Sequence, residues 1–292
     1  MHWLTDFEPR VERDVPLAKL TWFGLGGAAR WLASPSGPEE LAALLRRARD
    51  AGEAVRVLGG GANVLVQDDG VDGVVVRLDA EEFGWLIVDG DRVIAGAGVD
   101  LMKLCNRCAA AGLAGVECLG GIPGTVGGAI RMNAGGRFGQ IADVVERVHV
   151  VGADGAAATL SRDAFGFGYR TSSLGDRVVV AAELRLKEDS ADAVRERLHD
   201  IWTYKKETQP LGERSAGCIF KNPPGDSAGR LIDAAGMKGA SCGGATVSTR
   251  HANFVTADPG TRTADVLRLI ERIRDAVMKA SGVELEMEIV VW

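Results

Sequence analysis

The chain has 292 residues, a formal net charge of −6, and fewer basic than acidic side chains. That balance excludes a general nucleic-acid binder held by phosphate neutralisation, and the length exceeds the usual size of one domain. Hydrophobic content of 46% and charged content of 25% are ordinary for a soluble globular chain, and no run of about 18 apolar residues offers a membrane span.

The first ten residues carry acids and lack an apolar stretch, so no secretory signal is expected. Residues 30–33 read as a short strand. Leu41, Leu44, Leu45 and Ala48 recur at helical spacing and predict a helix over 38–51, closed by Gly52. A strand at 55–58 runs straight into Gly59-Gly60-Gly61, followed by Asn63 and an apolar run to residue 66. Residues 71–78, 86–88 and 92–95 add strands with turn residues between them. Asp100 caps a predicted helix through Leu101, Leu104, Cys105 and Cys108 that ends at Gly112. Cys105 and Cys108 have the spacing of half a zinc site, but no second Cys or His pair answers them, so both are expected to pack. All five cysteines (Cys105, Cys108, Cys118, Cys218, Cys242) are scattered, which fits a reducing cytosol.

Strands at 144–151 and 178–186 follow, with a turn at Asp154-Gly155. A charged helix over 190–206 separates the first two-thirds of the chain from the rest. Beyond it come an irregular stretch, 209–226, and a short helix near 228–235 stopped by Gly236. An amphipathic helix capped by Thr263 carries Val266, Leu269, Ile270, Ile273 and Val277 and ends at Gly282. In the last expected strand Val283, Leu285, Met287, Ile289 and Val291 share one face, and Glu284, Glu286 and Glu288 the other. This order predicts a mixed α+β fold with many short strands, not a doubly wound sheet.

Glycine is the compositional outlier, 39 residues in all, and eight of them fall in the twenty residues 120–139. That stretch is studded with Ile122, Val126, Ile130 and Met132, so it is not a flexible Gly/Ser linker. It reads either as an ordered loop whose peptide N–H groups hold a phosphate or pyrophosphate, or as tight turns between short strands. Gly24-x-Gly26-x-x-Ala29 matches the dinucleotide fingerprint, but Arg30-Trp31-Leu32-Ala33 behind it reads as a strand, so the context fails. No P-loop signature is present. Residues 59–63 and 120–128 are the remaining nucleotide loops, and two of them suit a long ligand with a central pyrophosphate, such as a flavin dinucleotide.

Three polar segments complete the inventory. In F-G-Y-R-T-S-S (167–173) Arg170 stands beside Tyr169, either as ordinary surface charge or as a planar fork for a carboxylate or phosphate. S-A-G-C-I-F-K-N-P (215–223) gathers Cys218, Lys221 and Asn222, and its thiol reads as core filler or as a reactive group. Alternation alone leaves Glu288 no better than Glu284 or Glu286.

Read in order, T-W-F-G-L-G-G (21–27), V-L-G-G-G-A-N-V-L-V (57–66), G-I-P-G-T-V-G-G-A-I (121–130) and M-N-A-G (132–135) resemble one family. F-G-Y-R-T-S (167–172), S-A-G-C-I-F-K-N-P (215–223), H-A-N-F (251–254) and L-E-M-E (285–288) extend the resemblance over residues 21–288. The family is UDP-N-acetylenolpyruvoylglucosamine reductase, the MurB flavoenzymes of bacterial peptidoglycan synthesis. The short connection from Tyr169 to Cys218 is similar to the shorter of its two structural types.

The resemblance implies an FAD-binding domain of the vanillyl-alcohol-oxidase (PCMH) type made of two α+β subdomains, at 1–76 and 77–205. An α+β substrate-binding domain would follow at 206–292. It implies Arg170 as the catalytic arginine, Cys218 as proton donor where the family usually has serine, and Glu288 as the glutamate that helps Arg170. A thiol ordinarily titrates near ~8.5, so the donor role survives the exchange. Cofactor contacts are expected at Gly59, Gly60, Gly61, Asn63, Gly121, Gly124, Thr125, Gly127, Gly128 and Asn133. Substrate contacts are expected at Tyr169, Lys206, Lys221 and Asn222. After residue 135 the family's tyrosine gives way to Gly136-Arg137-Phe138.

The implied chemistry is NADPH-dependent reduction of the enolpyruvyl ether of a UDP-sugar, in the cytoplasm, serving wall synthesis, cell shape and division. None of His2, His149, His199 or His251 lies in a glycine loop, so the FAD is expected to be noncovalent, with no metal. The alternatives are another FAD oxidoreductase of the same fold acting on a small alcohol or hydroxy acid, and a non-catalytic nucleotide-binding module.

Overall fold

The computed structural model describes residue 4 and residues 10–292; the rest of the amino-terminal stretch read above for a signal lies outside them. Two compact units share the chain. The first takes the described part of Met1–Arg13 with Trp31–Gly60 and Asp72–Tyr204. The second takes Asp14–Arg30, Gly61–Val71 and Lys205–Trp292.

The first strands are β1 (Val11–Pro16), β2 (Ala28–Ala33), β3 (Val55–Leu58), β4 (Val64–Leu65), β5 (Val71–Arg77), β6 (Leu86–Asp89) and β7 (Arg92–Gly96). A four-stranded sheet runs β1-β2-β5-β3, with β3 parallel to β5. β1 was not foreseen, because it is an edge strand of mostly exposed charged residues, a device that blunts sheet edges. β2 confirms that a strand, not a helix, follows Gly24-x-Gly26. Helix α1 (Pro38–Asp50) begins on proline, places Glu39 and Glu40 in its first turn, and buries Leu41, Leu44, Leu45 and Ala48.

A five-stranded antiparallel sheet forms the second part of the first unit, in the order Ala157–Ser161, Val145–Val151, Val178–Arg185, β7, β6. Helix α2 (Leu101–Ala110) starts where expected, the Asp100 carboxylate accepting from the Lys103 N–H at 3.0 Å. Its apolar stripe enters one core with Val93, Ala95, Val148, Val150, Ala182 and Leu184. Cys105 and Cys108 lie on that stripe, as expected. The Cys105 thiol donates to the Val116 carbonyl, and burial pushes the Cys108 thiol up to about 12. The 120–139 stretch is not a loop throughout: residues 126–132 form the short helix α3 (Val126–Met132). Its Val126 and Ile130, four apart, are both buried, and that spacing was the available helix signal.

Helix α4 (Ala191–Thr208) carries the division between Tyr204 and Lys205 within its own length. In the second unit, α5 (Ala228–Ala234) and α6 (Thr263–Ser281) enclose a core with a three-stranded sheet of Ser241–Cys242, Ala245–Val247 and Val255–Ala257. Phe23, Leu25 and Leu65 belong to the same core, although they lie far off in sequence. The five apolar side chains on α6 contribute on the order of 10 kcal/mol of gross burial energy before entropy is subtracted. Thr263 is not the cap of α6 but its first residue. Its N–H and that of Ala264 donate to Asp68, at 2.8 and 3.1 Å, so a remote carboxylate does the capping. The expected strand over 283–291 is likewise shorter. Only Val290–Val291 forms a ladder, parallel to β4, while Met287 makes a single bridge to Phe220. No described helix is long and apolar enough to cross a membrane.

The core assignment predicts which thiols react. Brief treatment of the native protein with iodoacetamide, followed by peptide mass analysis, should modify the half-buried Cys218 and Cys242 and spare Cys105, Cys108 and Cys118. All five should be modified in denaturant. Native labelling of Cys108 would show that α2 does not pack as described.

Candidate active site

Within the first unit, β3 delivers the chain into Gly59 and Gly60, and the loop before α3 comes to meet them. A Cβ on Gly60 would stand 2.7 Å from the Gly124 Cα, and one on Gly59 2.7 Å from the Thr125 Oγ1. The two loops singled out in the sequence are therefore in backbone contact, an approach only glycine permits. Thr125 caps α3, its hydroxyl accepting from the Gly128 N–H at 3.4 Å.

Not every amide of this loop is available to a ligand. The Val126 and Gly127 N–H groups donate to the Val99 and Ala97 carbonyls, each at 2.9 Å. A Cβ on Gly127 would meet the Ala97 Cβ at 2.9 Å, so Gly127 is small in order to pack its helix on the sheet. Gly128 is different, because a Cβ there would meet nothing closer than Thr125 Oγ1 at 3.6 Å. Gly59, Gly60, Gly124, Thr125 and Gly128 thus form a glycine-lined cradle of the kind a pyrophosphate occupies, and they fit an FAD. Gly121 lies earlier in the same loop, its N–H directed at the Met102 sulfur. Cys118, the nearest thiol in sequence, is buried and donates to the Gly115 carbonyl, which suits noncovalent binding.

Asn133, expected among the cofactor contacts, spends its amide elsewhere. It is 2% exposed and ends α3 in the left-handed conformation. Its Nδ2 donates to Gln140 Oε1 and to the Gly168 carbonyl, both at 2.9 Å, while Oδ1 accepts from the Ala142 N–H at 3.3 Å.

Arg170 stands at the tip of a short hairpin in which Phe167 pairs with Ser172 and Gly168 with Thr171. Its φ is +55°, a region that costs a non-glycine residue roughly 1–2 kcal/mol. Its guanidinium carbon lies 5.4 Å from the centre of the exposed Tyr169 ring. Strained backbone at a charged loop tip is a common mark of a functional position.

The second unit gathers the remaining candidates. Segments 218–221 and 286–288 run antiparallel: the Glu288 N–H donates to the Ile219 carbonyl at 2.8 Å, and the Lys221 N–H to the Glu286 carbonyl at 2.9 Å. Cys218 and Glu288 are thereby placed one residue out of register beside the single Phe220–Met287 bridge. Burial now separates the three glutamates. Glu284 and Glu286 are exposed and pair with Arg274 and Lys221, whereas Glu288 is half-buried. Asn63 supports this segment, its Nδ2 donating to the Glu288 carbonyl at 3.1 Å and its own carbonyl accepting from the Val290 N–H.

Asn253, which sequence reasoning did not single out, holds the other side. Its amide pairs with both the N–H and the carbonyl of Phe220, at 3.0 and 2.7 Å, and its carbonyl accepts from the Ile219 N–H. The H-A-N-F motif was the signal. Asn222 accepts from the Ala228 N–H at 3.0 Å at the start of α5. Lys206 is exposed, while the adjacent Lys205 is buried, a contrast no sequence pattern announces.

A family model described as an FAD binding domain matches residues 29–161. Another, described as the C-terminal domain of UDP-N-acetylenolpyruvoylglucosamine reductase, matches residues 209–292. Together with the cradle they define an FAD-dependent oxidoreductase. A reductase of that name from Anaeromyxobacter sp. (strain Fw109-5) is 44% identical over 98% of this chain and 91% of its own length. The crystal structure of UDP-N-acetylenolpyruvylglucosamine reductase (MurB) from Thermus caldophilus superimposes with a TM-score of 0.85 at 41% identity, over 97% of this chain and 99% of that one. The chain belongs to the UDP-N-acetylenolpyruvoylglucosamine reductase (MurB) family. At 19% identity and a TM-score of 0.52, Phl p 4.0202, a glucose dehydrogenase, shares the fold alone, over 63% of this chain and 43% of its own. The fold class is the one expected, an FAD-binding domain of the vanillyl-alcohol-oxidase type with α+β elements.

The glycine geometry separates packing from ligand contact. Gly128→Val should purify folded and largely free of flavin, whereas Gly127→Val should lower the melting temperature; a Gly128→Val protein with full flavin absorbance would show that the cradle lies elsewhere.

Acid should also test the second unit. His251 sits against Phe254, and burial followed by the charge of Lys238 holds its imidazole below the usual value. The unfolded chain binds that proton near pH ~6.5, so the folded state is favoured above this pH and loses stability as pH falls below it. Melting temperature should fall between pH 7.5 and 5.5, and fall less in His251→Asn; equal losses would exclude His251 as a source.

Proposed function

We propose that the protein reduces the enolpyruvyl ether of UDP-N-acetylglucosamine with NADPH to give UDP-N-acetylmuramate. The observation that carries this reading is family membership over 98% of the chain; Arg170, Cys218 and Glu288 stand where the resemblance implies the catalytic side chains. FAD, held by the cradle of Gly59, Gly60, Gly124, Thr125 and Gly128, supplies the hydride chemistry when bound.

The chain's own residues handle charge and the proton. Hydride addition at the terminal carbon of the double bond leaves an electron pair beside the carboxylate, spread as an enolate. Arg170 presents a fixed fork of donors to that charge, and one such donor is typically worth ~3–4 kcal/mol. Glu288, half-buried beside the Cys218 segment, shares the task as a protonated carboxyl that donates a hydrogen bond to the substrate carboxylate. Cys218 Sγ gives its proton to the carbon bearing the ether oxygen and recovers one from water. The net change is one hydride and one proton added across the double bond. Tyr169, Lys206, Lys221 and Asn222 bind the UDP-sugar, the ammonium groups toward its phosphates.

The product is a UDP-linked precursor of peptidoglycan. The enzyme accordingly acts in the cytoplasm and serves wall biogenesis, cell shape and division.

The two half-reactions separate a proton donor from a packing thiol. Cys218→Ala should leave flavin reduction by NADPH nearly unchanged and slow reoxidation by the enolpyruvyl substrate by roughly 10²–10⁴-fold. Cys218→Ser should keep much of the activity. Reoxidation at the parental rate in Cys218→Ala would remove the thiol from the mechanism.

A further inference from the structure

The hairpin that carries Arg170 has only two ladder pairs, too few to hold its own shape in water. Its rigidity comes from α3. Asn133, in the left-handed turn that ends the helix, donates to the Gly168 carbonyl on the strand entering the tip. Ser172, on the strand leaving it, donates its hydroxyl to the Arg131 carbonyl at 3.0 Å. Just beyond, the Arg131 guanidinium donates to the Gly175 carbonyl. At the hairpin base, Gly166 and Ser173 exchange two bonds, the Gly166 N–H to Ser173 Oγ and the Ser173 N–H to the Gly166 carbonyl.

Both strands flanking Arg170 are therefore fastened to the last turn of α3. The first turn of that helix is Thr125–Gly128, one wall of the cradle, so seven residues of regular helix set the distance from cradle to arginine. At about 1.5 Å per residue that is a rod of roughly 10 Å. We propose that Ser172 and Asn133 are positioning residues for Arg170, holding its guanidinium in register with the cradle. The proposal rests on the catalytic reading of Arg170 given above.

The chemistry explains why such ties are needed. A donor stabilises developing charge in proportion to how well it is fixed before the reaction, and a displacement of about 1 Å can cost ~100-fold. Arginine has a long flexible stem, and here its backbone sits in a strained conformation. Without anchors on each side, the tip would relax and the guanidinium would wander. Ser172 suits the test, because it is only half-buried and contributes one hydroxyl, whereas Asn133 lies in the core and its loss threatens the fold.

The experiment compares Ser172→Ala, Ser172→Thr and Arg170→Ala, each purified with its flavin. It reads flavin content, melting temperature, flavin reduction by NADPH, and kcat and KM with the enolpyruvyl UDP-sugar. Ser172→Ala should keep its flavin, melting temperature and reduction rate while kcat for the substrate falls about tenfold with KM within about twofold, the pattern of a lost transition-state interaction. Ser172→Thr, which restores the hydroxyl, should recover most of that rate. A Ser172→Ala enzyme at the parental rate, or one that loses both half-reactions and flavin together, overturns the proposal while a slow Arg170→Ala leaves the catalytic reading intact. An Arg170→Ala enzyme as fast as the parent overturns that reading, and the positioning role with it.

Discussion

The contact between Gly60 and Gly124 sets the terms for the first unit. The chains can come this close only because Gly60 carries no Cβ, while Gly124, where a Cβ would meet nothing, is set by its φ of +132°; the approach leaves their facing surface as backbone. Backbone is the surface a pyrophosphate needs, since amides and a helix start meet it without a competing side chain. The same contact fixes where α3 begins, because Thr125 is both the cap of that helix and the neighbour of Gly59. Everything α3 touches downstream inherits its position from this point.

The second unit uses a different device. Segment 218–221 is pinned from one side by residues 286–288 and from the other by Asn253. A single buried amide there copies the hydrogen bonds of a strand neighbour, so the thiol loop is held like a strand without being part of a sheet. Asn63 does a similar service for Glu288. The candidate side chains are ordinary ones, and the segments that carry them are held by the amides of Asn253 and Asn63.

Much of this was legible in the sequence. Helices α1, α2, α5 and α6 announce themselves by apolar spacing and by the glycines that stop them, and the two glycine loops stand out by composition. The failures share a cause. Thr263 looks like a cap because Asp68 cannot be known to lie beside it. Residues 283–291 alternate as a strand should, yet only two of them find a ladder partner, since alternation reports burial and not pairing. β1 escapes notice because its side chains face water. Asn133 is an addition and not a failure: its motif announces a cofactor contact, and the structure adds that its side-chain amide fastens Gln140 and Gly168. Among Glu284, Glu286 and Glu288, the resemblance chose the half-buried one and periodicity had no means to do so.

The way the chain is shared between its units bears on how it can be cut. It passes from one to the other at residues 13/14, 30/31, 60/61, 71/72 and 204/205, the last of these inside α4. A fragment beginning at residue 206 would keep α6 and lose Phe23, Leu25 and Leu65 from the core that α6 packs into, together with the Asp68 carboxylate at its start. The carboxy-terminal third is thus a continuous stretch of sequence but an incomplete folding unit. Exchanging it between relatives therefore means carrying over two short segments from near the other end of the polypeptide, and a chimera joined at one point inherits a mismatched interior.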